Sequence, residues 1–302
     1  MALAGEAVEI LEEVEENDSF LVFVHSVRGL IPRAAVVMLS DPAAAAKLLA
    51  AAWGYEQPGL APDRPNDLAA LWLYDCLRER FPDSKYAPLA FYRYGQVADR
   101  LAIQASRELN QAVEALKASP GSPKVLDETV LRPLEDKVLS RYAARGLKLS
   151  WSHLGGNCYY DGEVYRTLVN RFPRSAWADN AAFALLRRGE HLGGWEGWPT
   201  QPLKELGVWR EFMVKYPKSE LLPEAHLQIV CLDRALHEIY SFPQSEFRDA
   251  KKAAQHRQAA EDECRAILRE YPGTVAAAQA EKHLAEMTEG IHIYIHGAGW
   301  SR

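Results

Sequence analysis

The residues of this 302-residue chain best suited to metal chemistry are the histidines of its tail, IHIYIH at Ile291–His296. The segment alternates strictly, so His292 and His296 share one face of a strand. Four strand residues place them about 13 Å apart, too far for one ion without a bend. His25, in the apolar segment FLVFVHSV (Phe20–Val27), could complete a site if that segment paired with the tail in a favourable register. The competing reading is a row of histidines on an exposed strand face. That reading is adopted, and no metal ligand is assigned. Cys76, Cys158, Cys231 and Cys264 include no C-x-x-C pair, and three of them fall within helical apolar patterns, so they read as buried thiols. No G-x-S-x-G, H-E-x-x-H, Walker loop or G-x-G-x-x-G occurs. The sequence thus assigns no catalytic residue and no cofactor, and the chain is read as non-enzymatic.

Charge offers two further places for chemistry. EILEEVEEN (Glu9–Asn17) carries five glutamates and reads as a solvated acidic helix face, or else as a tail for a basic partner. Arg248, Lys251, Lys252, His256 and Arg257 lie on one long helical pattern with charges of both signs. They read as a solvated face, with a phosphate-bearing partner as the alternative. The net charge of −6 argues against a nucleic-acid partner. No stretch approaches the ~20 apolar residues of a membrane helix, so no membrane insertion is expected. The N-terminus lacks a signal-peptide pattern, which predicts a cytoplasmic protein, or an exported one if a leader has been removed. The glycine- and tryptophan-rich segment at 191–207, with Trp195 and Trp198, reads as a long loop that either carries recognition or is pinned to the fold by its indoles.

The elements that would position these residues are announced by a repeat. RERFPDSKYAPLA, VNRFPRSAWADNA, MVKYPKSELLPEA and LREYPGTVAAAQA align on Phe81, Phe172, Tyr216 and Tyr271. A proline follows each aromatic, and a hydroxyl stands two residues beyond that, at Ser84, Ser175, Ser219 and Thr274. Nine residues after the aromatic comes alanine: Ala90, Ala181, Ala225 and Ala280. Large apolar residues stand four before the aromatic (Leu77, Leu168, Phe212, Ile267) and four after the alanine (Tyr94, Leu185, Ile229, Leu284). Such i, i+4 pairs lie on one face of two successive helices. Proline stops the first helix at the aromatic, and the hydroxyl is placed to cap the second. The alanine lets two helix backbones approach, where a larger side chain would overpack at a cost of about 1–3 kcal/mol. The anchors are 91, 44 and 55 residues apart. The first interval predicts a degenerate helical pair between about Leu101 and Gly146 without the aromatic–proline turn.

This pattern resembles tetratricopeptide repeats, and more narrowly the subtype found in the outer-membrane β-barrel assembly lipoprotein and in periplasmic cell-division coordinator proteins. The resemblance covers about half the chain. It implies a mainly α fold, a right-handed superhelical stack of helical hairpins. Residues 66–290 form that domain. Residues 1–65 form an N-terminal extension of strand, helix and proline-rich linker, and residues 291–302 a strand-like tail. Asp41 with Pro42 should start a helix, and Asn66 or Asp67 should cap the first repeat helix. A short strand pair between Phe20–Val27 and the tail is expected, within one chain or between two copies. LGGNCYYDGEVY (Leu154–Tyr165) is read as a glycine-rich entry to the second hairpin.

The function expected from this architecture is a non-enzymatic scaffold that binds a peptide or protein segment in the groove lined by the first helices of successive hairpins. One sequence separates core from surface but not concave from convex, so it names no groove residue. Two alternatives stand beside it: an envelope assembly factor, which the subtype resemblance implies, and a metal- or ligand-binding protein that uses the histidine-rich tail.

Overall fold

The computed structural model describes residues 9–14, 19–24, 27–32, 36–56, 66–119, 128–152, 156–188 and 197–293. Among them are ten helices, so the protein is mainly helical. The chain divides into two compact units, Met1–Trp177 and Ala178–Arg302.

The first unit opens with a three-stranded antiparallel meander: β1 (Glu9–Val14), β2 (Ser19–Val24) and β3 (Val27–Pro32), in the order β1-β2-β3. Two expectations are corrected here. The acidic run contributes β1 and not a helix. The neighbouring SFLVFV is strongly β-prone, and its unpaired edges recruit the flanking segments, overriding helix propensity. The pairing of β1 is irregular between Ile10 and Glu12. The Phe20–Val27 segment is also not one strand awaiting the tail. It ends at Val24, which pairs with Val27 of β3. Both edges of β2 are therefore occupied, and residues 294–302 of the expected tail strand lie outside the described residues.

Helix α1 (Ala44–Glu56) is preceded by Asp41, whose Oδ1 accepts the Ala43 N–H at 2.7 Å. Lys47 beside it holds the Asp41 carboxyl below its usual range. Asn66, rather than Asp67, caps α2 (Asp67–Arg80), accepting the Ala69 N–H at 3.2 Å. Helix α3 then runs unbroken from Ala87 to Lys117. The expected degenerate pair exists only in part. Its second helix is α4 (Glu128–Ala143), but its first is the continuation of α3, whose apolar face Ala98, Leu101, Ala102, Ala105 and Leu109 stays in phase and buried. The glycine-rich entry contributes the second strand of an unforeseen hairpin, β5 (Asn157–Tyr160), which pairs with β4 (Leu149–Ser152) just before it. Ser106 of α3 secures it, accepting the Cys158 N–H at 2.8 Å. The Tyr160 hydroxyl accepts the Val164 N–H at 2.9 Å in the first turn of α5 (Glu163–Arg171).

The second unit comprises α6 (Ala178–Arg188), α7 (Thr200–Lys215), α8 (Leu222–Ser241), α9 (Ala250–Glu270) and α10 (Val275–Thr288). Helix α8 lies between two apolar clusters. Ile229, Leu232, Leu236 and Tyr240 pack with Trp209 and Phe212 of α7. Leu227 and Val230 pack with Cys264 and Ile267 of α9 and with Ala276, Ala277 and Ala280 of α10.

The aromatic–proline stop has one geometry in all four copies. Phe81, Phe172, Tyr216 and Tyr271 have φ between −125° and −129° and ψ between 49° and 61°. Each donates its N–H to the carbonyl of the residue four before it, at 2.8–2.9 Å. Ala90, Ala181, Ala225 and Ala280 are all fully buried, as helix contact requires. The hydroxyl behaves differently from expectation. Only Thr274 caps a helix, accepting the Ala277 N–H at 3.1 Å. Ser175 and Ser219 accept from the residue two ahead, before their helices begin, and Ser84 Oγ has no hydrogen-bond partner. What recurs is the backbone turn, in which the N–H of the Ser or Thr donates to the carbonyl of the aromatic at 3.0–3.4 Å.

A fifth stop is present. Phe242-Pro243-Gln244-Ser245 ends α8, with the Phe242 N–H on the Glu238 carbonyl and the Ser245 N–H on the Phe242 carbonyl at 3.1 Å. Phe242 itself is extended, at φ −63° and ψ 123°. The chain therefore needs a longer connection before Asp249 caps α9 through the Lys251 and Lys252 N–H groups, both at 3.0 Å.

Candidate functional site

Helix α8 carries charged side chains where a helix between two apolar clusters would ordinarily be apolar throughout. Asp233, Arg234 and Glu238 are all buried, at 1%, 2% and 2% exposure. Buried charges persist only when paired and hydrogen-bonded, and each of these has partners on other elements.

Along the antiparallel seam of α8 and α9 the polar contacts fall in register. His226 Nδ1 meets Glu263 Oε1 at 2.5 Å, His256 Nδ1 meets Asp233 Oδ1 at 2.7 Å, and His237 Nδ1 meets the Ala253 carbonyl at 2.9 Å. Each of the three Nδ1 atoms faces an oxygen, so each carries the donated hydrogen. The His256 ring also stacks on Tyr240 at 5.6 Å between centroids.

Arg234 is the hub toward α10. Its Nη1 donates to Glu286 Oε2 at 2.6 Å and to His283 Nδ1, and its Nη2 donates to the Ile291 carbonyl at 3.2 Å. Beyond α10 the Ile293 N–H donates to Glu238 Oε1 at 2.8 Å. The His283 Nε2 lies 3.7 Å from Cys231 Sγ, a spacing that invites comparison with a nucleophile and its base. The guanidinium argues against that role. With Arg234 donating to Nδ1, the neutral ring carries its proton on Nε2. It therefore presents a donor, not a base, to the thiol.

Burial pushes the His237 and His283 pKa values down from 6.5, with Arg257 adding to the effect at His237 and Arg234 at His283. Glu238 and the Ala253 carbonyl oppose it at His237, where His292 adds to it, and Glu286 opposes it at His283, where Lys282 adds to it. A histidine whose folded pKa is depressed binds fewer protons folded than unfolded. The stability it contributes is complete above the unfolded value of 6.5 and is lost as pH falls toward the folded value. The second unit should therefore lose stability on acidification from pH 7 to pH 5, and the His237→Gln/His283→Gln protein should lose less. Thermal melts across that range, with hydrogen exchange to assign the loss to α8–α10, check this. The carboxyl of Glu286, lowered chiefly by its Arg234 hydrogen bond, adds a further loss only below its ordinary 4.5.

The first unit has a comparable but smaller cluster. The buried carboxylate of Glu56, at the end of α1, accepts from the Tyr74 hydroxyl at 2.5 Å, from Arg93 at 2.8 and 3.1 Å, and from Arg100 at 2.8 Å. Arg100 also forks onto Asp67, and Arg93 stands 4.5 Å from the Trp53 ring centroid. This cluster fastens α1 to α2 and α3.

The residues singled out from sequence are dispersed. His25, His296 and Trp195 lie outside the described residues. His292 is exposed, and among the described residues no group of three or more His, Cys, Asp or Glu side chains could hold a metal. Trp198 is 54% exposed and packs at 5.2 Å against Phe247. The basic set on α9 does not form one face. Lys251 and Lys252 are exposed, His256 turns to Asp233, and Arg257 donates to the Met287 carbonyl at 2.9 Å. All four cysteines are free. Burial raises the Cys158 thiol to about 11 and the Cys264 thiol to about 12, so both stay protonated near neutrality. The four repeat aromatics, expected in the core, are half-buried: they cap helix ends. The α8 charges were missed from sequence. Their signal is Asp233, Arg234 and Glu238 embedded among apolar residues that continue around the helix.

No protein-family model and no curated protein matches this chain. Among the described residues, no helix is long and apolar enough to cross a membrane.

Proposed function

We propose that this protein is a non-enzymatic scaffold whose helical hairpins, stacked in the manner of tetratricopeptide repeats, hold a polypeptide segment of a partner. The observation that carries the reading is the two-faced character of α7, the first helix of its hairpin. One face buries Leu206, Trp209 and Phe212. The other presents Leu203, Gly207, Arg210 and Val214, at successive spacings of four, three and four, all exposed. Val214 is 83% exposed, and a Cβ added at Gly207 would meet nothing within 4 Å. An open stripe with apolar ends and a guanidinium between them is suited to receive a segment with apolar side chains and an acidic or carbonyl acceptor. The identical turns support the same reading, since they repeat a packing unit rather than a reactive group.

The test is a charge introduced into the stripe. Leu203→Glu and Val214→Glu lie on the surface and should leave the fold intact, within about 0.5 kcal/mol. Each should reduce recovery of one and the same partner from a lysate of the source cells by at least about tenfold, equivalent to 1.4 kcal/mol. Unchanged recovery by both variants refutes the role of this face.

A further inference from the structure

The exposed stripe of α7 reads the same from either end. Leu203, Gly207, Arg210 and Val214 follow at steps of four, three and four, the alternating steps of a helix-to-helix seam. The midpoint lies between Val208 and Trp209. A second α7 laid alongside in the opposite direction, about a two-fold axis at that midpoint, sets Leu203 against Val214 and Gly207 against Arg210. Both pairs are complementary. The aliphatic side chains of Leu203 and Val214, 44% and 83% exposed, cover each other. The open space above Gly207, where an added Cβ would touch nothing within 4 Å, takes the long arginine side chain. Laid in the same direction, the copies would instead oppose arginine to arginine, a like-charge contact.

The flank of the stripe agrees. Lys204 and Glu211 are exposed and seven residues apart, hence two turns apart on one side of the stripe. A two-fold axis normal to the plane of two antiparallel helices brings like flanks together. Lys204 of one copy therefore stands beside Glu211 of the other, and Glu211 beside Lys204. Among the described residues, the side chains of Lys204, Arg210 and Glu211 have no hydrogen bond or ion pair within the chain, so their charges are available to a second copy. The opposite flank continues into Leu206, buried, and Met213, half-buried.

We propose that the polypeptide held on α7 is the α7 helix of a second copy of this chain, packed antiparallel in an isologous dimer. The two-fold axis closes the contact, so it yields a dimer and not a filament. This names the partner of the exposed face and rests on the reading that the face binds polypeptide.

The experiment measures the mass of the full chain by analytical ultracentrifugation at about 1–100 μM, a range suited to a small interface. A dimer is expected. Lys204→Glu and Glu211→Lys, each alone, set like charges together at two symmetric places and should each raise the dissociation constant about tenfold. Lys204→Glu/Glu211→Lys in one chain restores opposite charges and should return the constant to within about twofold of the parent's. An equal mixture of the two single variants should dimerise as well as the parent, because every flank contact between unlike chains is then a lysine–glutamate pair. The proposal is overturned by a chain that stays monomeric, by a dimer that neither single reversal weakens, or by a double reversal or mixture that does not recover it. The two readings fail separately. A monomeric chain whose lysate partner is lost with Leu203→Glu and Val214→Glu keeps the scaffold and rejects self-pairing. A charge-sensitive dimer, with recovery of a lysate partner unchanged by those variants, keeps the pairing and places that other partner away from α7.

Discussion

Replacing Arg234 by leucine is expected to destabilise the second unit by about 3 kcal/mol, the low end of what breaking a buried ion pair costs. The guanidinium is 2% exposed and donates to Glu286, to His283 and to the Ile291 carbonyl. Leucine fills part of the volume but leaves these groups without their shared cation. The Glu286 side chain is 15% exposed and can reach water, which is why the low end applies. Lysine should recover only part of the loss, because an ammonium cannot reproduce the planar fork that serves Nη1 and Nη2 partners at once. Hydrogen exchange in increasing urea, read on peptides from α8, α9 and α10, measures the effect where it arises. An Arg234→Leu protein within about 0.5 kcal/mol of the parent, the ordinary range for uninvolved surface positions, would show that the polar seam is not part of what holds these helices.

The second large effect is predicted at Gly95 and Tyr165. A methyl group at Gly95 would lie 2.4–2.8 Å from the Tyr165 ring, closer than carbon atoms can approach. That ring is fully buried, and its hydroxyl donates to Asp99 at 3.2 Å, one turn further along α3. In an exposed helix interior, glycine to alanine gains about 1 kcal/mol. Here Gly95→Ala should instead cost about 1–3 kcal/mol, because a packed ring must move. Tyr165→Ala alone should cost about 3–5 kcal/mol. In the Tyr165→Ala background the same Gly95→Ala change should become stabilising, since the clash is gone and the helix preference remains. Urea unfolding of the four proteins completes the cycle. Additive costs would mean that the two residues do not share this contact.

Much of the helical framework was legible because each turn is encoded within about ten residues. The aromatic and proline stop a helix locally, and the alanine marks the site where two helices must touch. The fifth stop, at Phe242-Pro243, escaped because its surroundings break the rest of the pattern. Lys251 stands where the alanine would be, and Glu238 where the aliphatic residue would be. That same Glu238 belongs to the polar seam, so the repeat departs from its pattern where the charges begin. The strands escaped for a different reason. EILEEV satisfies a helix pattern by itself, and only pairing with β2 decides it. The seam was illegible because its partners are distant in sequence: His256 lies 23 residues from Asp233, and Glu286 lies 52 residues from Arg234. Composition and periodicity report which residues are apolar, not which charge on one helix will meet which on another.

If the exposed face of α7 binds a polypeptide, as proposed, a probe placed on that face will reach the bound segment. The measurement is photo-crosslinking from position 214, with position 262 as the control: Asp262 is exposed on α9 and lies outside the stripe. One cross-linked polypeptide is expected from position 214, absent from position 262 and lost when Leu203→Glu is added. Equal cross-linking from both positions, or a product from position 214 that Leu203→Glu leaves unchanged, would contradict it.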